Sequence, residues 1–309
     1  MATGFILVGS TEGVEKELGS TKQLLESLGV QISVVNYHDV AVLAADDAGG
    51  VCYVKGERRS LPDFVLVVAL GERDDYDFRA TLRMFETRGV VVVNTADAVD
   101  KAGDKLYSFL FAKQAVPEIK IPKTLLVTST TTPDDVERLI GLPVVLKVMN
   151  GVQGKGVELV RTKDELRAML SMLTAAPFGD HIIAQQAIMS SAGKDIRVVV
   201  AGGEVLHSFV RSNDGEFKSN LHQGGHIETF EPPADLVDMS IRLADALGLK
   251  LGSIDYLFGE NEGEFWLCEV NSTPGIAYLF AAQETGDTAL LKKFMAMPGR
   301  LLAREGVKI

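Results

Sequence analysis

The stretch Cys268-Glu-Val-Asn-Ser-Thr-Pro-Gly275 ends an apolar run and places Glu269 and Asn271 two residues apart. Successive side chains of a strand point to opposite faces, so these two leave by the same face. The preceding segment Gly252–Leu257 reads as a strand that pairs with Glu264–Val270 across Gly259–Gly263, and such a hairpin brings Asp255 alongside the pair. Acids set in apolar runs need a partner charge, and the sequence offers none close by. Two carboxylates and an amide are hard oxygen donors suited to Mg2+, which completes its shell with phosphate oxygens and water. Three unrelated polar residues at strand ends are the alternative reading.

Further toward the N-terminus, Lys147 interrupts Val144-Val-Leu-Lys-Val, a run otherwise fit for a buried strand. A lysine there is costly unless it meets an anion or snorkels to water. Next comes Gly151-Val-Gln-Gly-Lys-Gly156, whose glycines let backbone N–H groups turn toward a phosphate, with Lys155 adding charge. A plain hairpin is the other reading. The stretch fails the Walker A spacing, since Met149 and Gly156 stand where Gly and Ser/Thr are needed, and Leu159 replaces the third glycine of a dinucleotide fingerprint. Arg197, Arg211, Lys218 and Asn220 lie among glycines, a composition suited to phosphate or carboxylate oxygens. His222 and His226 are four apart, but Gly224 and Gly225 between them argue against the helix a zinc pair needs. Cys268 reads as a small buried apolar residue.

Three regions organise the chain: 1–95, 96–181 and 182–309. In the first, strands at Phe5–Val8, Gln31–Asn36, Val51–Lys55, Phe64–Leu70 and Val90–Val93 alternate with helices at Glu15–Leu28 and Asp77–Arg88. Near-continuous apolar strands separated by helices predict a parallel sheet covered on both faces. The second region has a helix over Lys105–Ala115 capped by Asp104, strands at Thr124–Val127, Pro143–Met149 and Val157–Val160, and helices opened by Thr132-Pro133 and by a Thr162/Glu165 capping box. The third begins with a strand at Ile182–Gln186. It continues with strands at Arg197–Ala201 and Val205–Arg211 joined by Gly202-Gly203, and a helix with Leu236, Ser240, Leu243 and Leu247 on one stripe. The fold class is therefore mixed α/β and α+β.

Whole-chain numbers narrow the functional classes. The 31 Lys and Arg against 42 Asp and Glu leave a net charge of −11, which argues against a broad nucleic-acid face. No apolar run approaches the length of a membrane span, no signal peptide is evident, and two cysteines make no disulfide framework. A reduced cytoplasmic setting is the expectation.

These pieces resemble the ATP-grasp superfamily, and within it the RimK-like carboxylate–amine ligases of the alpha-L-glutamate type. The resemblance rests on Asp104-Lys-Leu, Pro143-Val-Val-Leu-Lys147, Gly151–Val157, Asp195-Ile-Arg197, Phe217–Gly225, Ser253-Ile-Asp255 and Cys268–Gly275, in that order and over nearly the whole chain. It implies an ATP-grasp fold: a Rossmann-like pre-ATP-grasp domain (1–95), a small lid (96–181) and a large catalytic subdomain (182–309). It implies ATP, with one or two Mg2+ ions (Mn2+ as a substitute) held by Asp255, Glu269 and Asn271. Lys105 and Lys147 would contact the phosphates under a loop of Gly151, Gln153, Gly154, Lys155 and Gly156. Gln185, Gln186, Ala187 and Ile188 would meet adenine, and Asp195 would lie near the ribose. Arg197, Lys218 and Asn220 would serve catalysis at the γ-phosphate.

The implied reaction activates a carboxylate as an acyl phosphate, which an amine then displaces to form an amide, on an amino acid, peptide or protein substrate. Nucleic acid and membrane are not implied as partners; a homo-oligomer, dimer or tetramer, is. Two departures stand out: Gln186 replaces the usual hinge glutamate, and Ile276-Ala-Tyr-Leu-Phe280 replaces a glycine–glutamate pair bordering the acceptor site. Glutamate is therefore not carried over as substrate. The rival readings are a peptide macrocyclase forming ester or amide links, and a non-catalytic nucleotide-binding protein.

Overall fold

The computed structural model describes residues 1–9, 19, 22–23, 25–44, 49–69, 76–149, 156–175, 181–213, 217, 226–274 and 288–308. Strands β1 (Thr3–Val8), β2 (Gln31–Asn36), β6 (Phe64–Ala69) and β7 (Val91–Val93) form a parallel sheet in the order β2-β1-β6-β7. Phe5 and Leu7 enter one core with Phe78, Leu82 and Phe85 of the helix Tyr76–Thr87. Ile6 and Val8 enter another with Leu25, Leu251, Leu301 and Leu302. Burial on both faces is why these strands show no polar alternation. The helix expected over Glu15–Leu28 lies largely outside the described residues. Leu301 and Leu302 belong to the helix Thr288–Arg304, so the end of the chain seals its first sheet.

Beside this sheet, β3 (Val40–Ala41), β4 (Val51–Val54) and β5 (Glu57–Ser60) form a small antiparallel one. Lys55 and Gly56 both have positive φ (52° and 77°), as a two-residue type I′ turn requires.

Strands β8 (Thr124–Val127), β9 (Val144–Val148), β10 (Val157–Val160) and β11 (Ile182–Gln186) make an antiparallel sheet, ordered β10-β9-β11-β8. Helices Pro133–Leu139 and Lys163–Ala175 cover one face, with Val136, Leu166 and Leu170 packed on Val144, Leu146, Ile182 and Ala184. The second helix starts on the predicted capping box: Glu165 N donates to Thr162 Oγ1 (3.3 Å) and Thr162 N to Glu165 Oε2 (3.0 Å). The strand at 182–186, read from the sequence as opening the third region, thus pairs with β9 and β8 of the second.

The largest sheet, antiparallel throughout, runs β14-β13-β12-β15-β16 with β12 (Lys194–Ala201), β13 (Glu204–Ser212), β14 (His226–Thr229), β15 (Leu251–Phe258) and β16 (Phe265–Asn271). The helix Ala234–Leu247, ended by left-handed Gly248, covers one face. So do helices Ala96–Gly103 and Lys105–Ala115: Ala98, Ala102, Phe109 and Ala112 share a core with Ile196, Val198, Ile254 and Tyr256. These two helices, grouped by the sequence reading with 96–181, pack on the sheet of the third region. No described helix is long and apolar enough to cross a membrane.

Candidate active site

The candidate side chains project from the face of the large sheet opposite the helices Ala96–Gly103, Lys105–Ala115 and Ala234–Leu247; elsewhere on that face Val199 and Phe209 share a core with Leu290 of the helix Thr288–Arg304. Ile196, Val198 and Val200 of β12 enter the core, so Asp195, Arg197 and Val199 point the other way. Asp255 does the same between Ile254 and Tyr256. In β16 the alternation breaks: Asp255 pairs with Glu269 but Tyr256 with Leu267, leaving Cys268 as the extra residue of a bulge. Leu267 and Val270 can then both enter the core, while Glu269 sits opposite Asp255 and Asn271 opposite Ser253. The structure brings the trio to one face.

Asp255 is wholly buried and gripped by two arginines. Arg197 meets it with two prongs, Nε to Oδ1 at 2.8 Å and Nη2 to Oδ2 at 2.6 Å, and donates Nη1 to the Pro274 carbonyl at 3.1 Å. The same Nη2 lies 3.8 Å from Glu269 Oε1, which also accepts from Asn271 Nδ2 at 3.3 Å. Arg211, opposite Asp195 in the register, holds both Asp195 oxygens and donates Nη2 to Asp255 Oδ2 at 2.8 Å. Burial pushes the Asp255 carboxyl up, but Arg197 and Arg211 more than reverse this and hold it well below the usual carboxylate range. Burial likewise presses Arg211 down, and Asp255 and Asp195 raise it well above its ordinary value. Charges so buried persist only when paired.

The small sheet faces this network. Val144 and Leu146 enter its own core, so Val145 and Lys147 point away from its helices, beside Ile183 and Gln185. Burial pushes the Cys268 thiol up to about 12, with the charge of Lys147 opposing the rise. Cys268 therefore stays a protonated thiol, not a nucleophile. Lys105, at the start of the helix capped by Asp104, donates from Nζ to the Met149 carbonyl at 2.9 Å. Lys105 thus reaches the end of β9, two residues beyond Lys147, where the strand leads toward the glycine-rich stretch. Gln185 is buried and donates to Thr124 Oγ1 (3.0 Å), while Gln186 Oε1 accepts from Lys123 N (3.3 Å). The chain then passes through Ala187 and Ile188 to β12.

Gly151, Gln153, Gly154, Lys155, Lys218, Asn220 and His222 lie outside the described residues. Gly156 has φ 75°, and its carbonyl accepts from Val148 N at 2.9 Å. His226 belongs to strand β14, which removes the helical spacing for zinc. Among the described residues no three His, Cys, Asp or Glu side chains are grouped to hold a metal. Asp255, Glu269 and Asn271 nonetheless offer only oxygen donors suited to a hard cation, and a cation already stands between the two acids as the Arg197 guanidinium.

Two residues at or behind this site had no role assigned from the sequence. Arg211 entered only as part of a basic composition. Asn94, buried at the end of β7, donates to the carbonyls of Leu251 (2.5 Å) and Ser272 (2.7 Å) and accepts from the backbone N–H groups of Lys250 (2.8 Å) and Leu251 (3.1 Å). It ties the first sheet to the start of β15 and to the segment just past Asn271. The available signal was a polar residue closing the apolar run Val90–Val93.

A parallel-sheet unit, a small antiparallel sheet and a five-stranded sheet with acids and arginines facing the cleft define the ATP-grasp class. Residues 102–291 match the RimK-like ATP-grasp domain. A "Probable alpha-L-glutamate ligase" of Enterobacter sp. (strain 638) is 32% identical over 266 residues, spanning 84% of this chain and 85% of its own. Among solved structures, the ATP-grasp ligase PsnB complexed with a phosphomimetic variant of its minimal precursor, Mg and ADP has a TM-score of 0.68 at 18% identity, covering 94% of this chain and 98% of that one. D-alanine–D-alanine ligase from Bacillus anthracis complexed with ATP has 0.66 at 19%, covering 99% of each. The chain belongs to the RimK-like ATP-grasp family. It is an ATP-dependent ligase that joins a carboxylate to an amine.

Proposed function

We propose that this ligase activates the carboxylate of an amino acid or peptide as an acyl phosphate and passes it to an amine. The observation that carries the reading is the facing of Asp255 and Glu269 across β15 and β16, with Arg197 between them and Lys147 looking in from the opposite sheet. A substrate carboxylate oxygen attacks the γ-phosphorus of ATP and ADP leaves. The amine nitrogen then attacks the acyl carbon, phosphate leaves, and the amine proton goes to solvent. Lys105 and Lys147 neutralise the phosphates, and Arg197 binds the γ-phosphoryl oxygens as charge shifts onto them. Asp255, Glu269 and Asn271 would hold one or two Mg2+ ions, whose charge offsets that of the triphosphate.

Segment Thr124–Gln186 acts as the lid, with the helices Ala96–Gly103 and Lys105–Ala115 counted as part of the catalytic body; their shared core with β12 and β15 supports this division. Closure keeps water from the acyl phosphate. The relatives' names specify glutamate and PsnB was complexed with a precursor, so glutamate and peptides come first among acceptors and donors to try.

The test is an ADP-release screen over amino acids, peptides and small acids, with mass spectrometry on each positive pair. An amide of the two substrates is the expected product; a peptide lighter by one water would select macrocyclisation instead. Glu269→Ala should reduce turnover to background while the circular dichroism spectrum is unchanged, and Asp255→Asn, which keeps an acceptor between Arg197 and Arg211, should do the same. Full activity in either would remove the metal assignment.

A further inference from the structure

The two arginines on Asp255 are held in different ways. Arg211 makes its contacts to acids alone: both oxygens of Asp195 and Oδ2 of Asp255. Arg197 gives two prongs to Asp255, and its remaining nitrogen rests on a neutral carbonyl, that of Pro274. Its Nη2 occupies the space between Asp255 Oδ2 and Glu269 Oε1, 2.6 Å from one and 3.8 Å from the other. A metal held by those carboxylates would meet the positive charge of this guanidinium, and two cations so close repel each other. Arg197 can leave only for another anion. When it does, its hold on Oδ1 of Asp255 is released, while Arg211 still holds Oδ2.

Resting on the metal reading above, we propose that Arg197 occupies the metal's place until a nucleoside triphosphate draws it away, and that Arg211 is the positioning residue that then keeps Asp255 and Asp195 aimed. The triphosphate and the metal are thereby coupled through one side chain: each favours binding of the other. Arg211 does this by geometry as well as charge, because Nε and Nη2 of its planar fork hold the two oxygens of Asp195 while the same Nη2 also reaches Asp255.

Mn2+ is titrated by electron paramagnetic resonance, with and without the non-hydrolysable triphosphate AMPPNP, into wild type, Arg197→Gln, Arg211→Lys and Asp255→Asn. Wild type should bind Mn2+ weakly alone and firmly with AMPPNP. Arg197→Gln should bind Mn2+ alone about tenfold more tightly than wild type, a factor within the usual range of coupling between linked sites. Arg211→Lys keeps the charge but not the fork, and should lose about tenfold with AMPPNP and gain nothing without it. Unchanged or weaker nucleotide-free binding in Arg197→Gln overturns the exchange, and wild-type behaviour in Arg211→Lys overturns the positioning role. Either failure leaves the metal site standing if Asp255→Asn still abolishes binding. If Asp255→Asn binds as wild type does, the metal reading itself fails.

Discussion

Ser240 lies on the buried stripe of the helix Ala234–Leu247, where a hydroxyl needs a reason. Its Oγ bonds the Leu236 carbonyl at 2.7 Å and the Tyr256 hydroxyl at 2.9 Å, both wholly inside the core. Ser240→Ala leaves the Tyr256 hydroxyl without that partner, and should cost ~1–3 kcal/mol in urea unfolding. Adding Tyr256→Phe should restore part of the loss, since removing both partners leaves no orphaned group. At this scale the sequence speaks where a side chain contradicts its surroundings. Asp255, Glu269 and Lys147 are legible because a charge inside an apolar run is expensive. Arg211 is not, because Asp195, its partner, is sixteen positions away and meets it only through the β12–β13 register. Ser240 passed as one member of an amphipathic stripe, with nothing local to name Tyr256.

Strands β15 and β16 carry Asp255 and Glu269, and their approach depends on a glycine. A Cβ added at Gly252 would stand 2.8 Å from the Asn271 carbonyl oxygen, a backbone atom with little room to yield. Gly252→Ala should therefore cost ~1–3 kcal/mol, as overpacking does, read from the urea midpoint. The bulge at Cys268 acts at the same level: it resets the face alternation so that Glu269 rather than Cys268 meets Asp255. Two-residue spacing predicts that Glu269 and Asn271 share a face, and they do, but a bulge depends on the partner strand and has no mark in this run. The elements that the sequence reading leaves out, the helix Thr288–Arg304 among them, lack a local mark for different reasons. Strand β5, Glu57-Arg-Arg-Ser60, is exposed along its whole length and carries no apolar period. Strands β3 and β14 are short edge pieces. Helix Ala96–Gly103 directly follows the apolar end of β7, capped by Thr95. The long buried strands and the helices Lys105–Ala115, Pro133–Leu139 and Lys163–Ala175, by contrast, are readable because burial and capping each impose a residue pattern.

Over the whole molecule, residues far apart in sequence share cores and hydrogen bonds, and there the linear reading was weakest. The helix Thr288–Arg304 places Leu301 and Leu302 against Ile6, Val8 and Leu66 of the first sheet. Burial of side chains of this kind contributes ~1.5–3 kcal/mol each, against a total stability of about 5–15 kcal/mol for a typical fold. Truncation after residue 287 should abolish a single cooperative urea transition; a retained transition of full amplitude and slope would show that the first sheet stands without its seal. Asn94 explains why region boundaries cannot be read locally, since its partners are Lys250, Leu251 and Ser272. The small sheet has the opposite character. Its chain enters at Lys123 and leaves at Gln186, and these two residues are hydrogen-bonded to each other, Gln186 N to Lys123 O at 2.8 Å. A segment whose ends touch is a cassette. Because its ends meet, it should accept the corresponding piece of a relative without displacing the framework it is set in, so this part of the molecule is open to wholesale exchange rather than only to change one residue at a time.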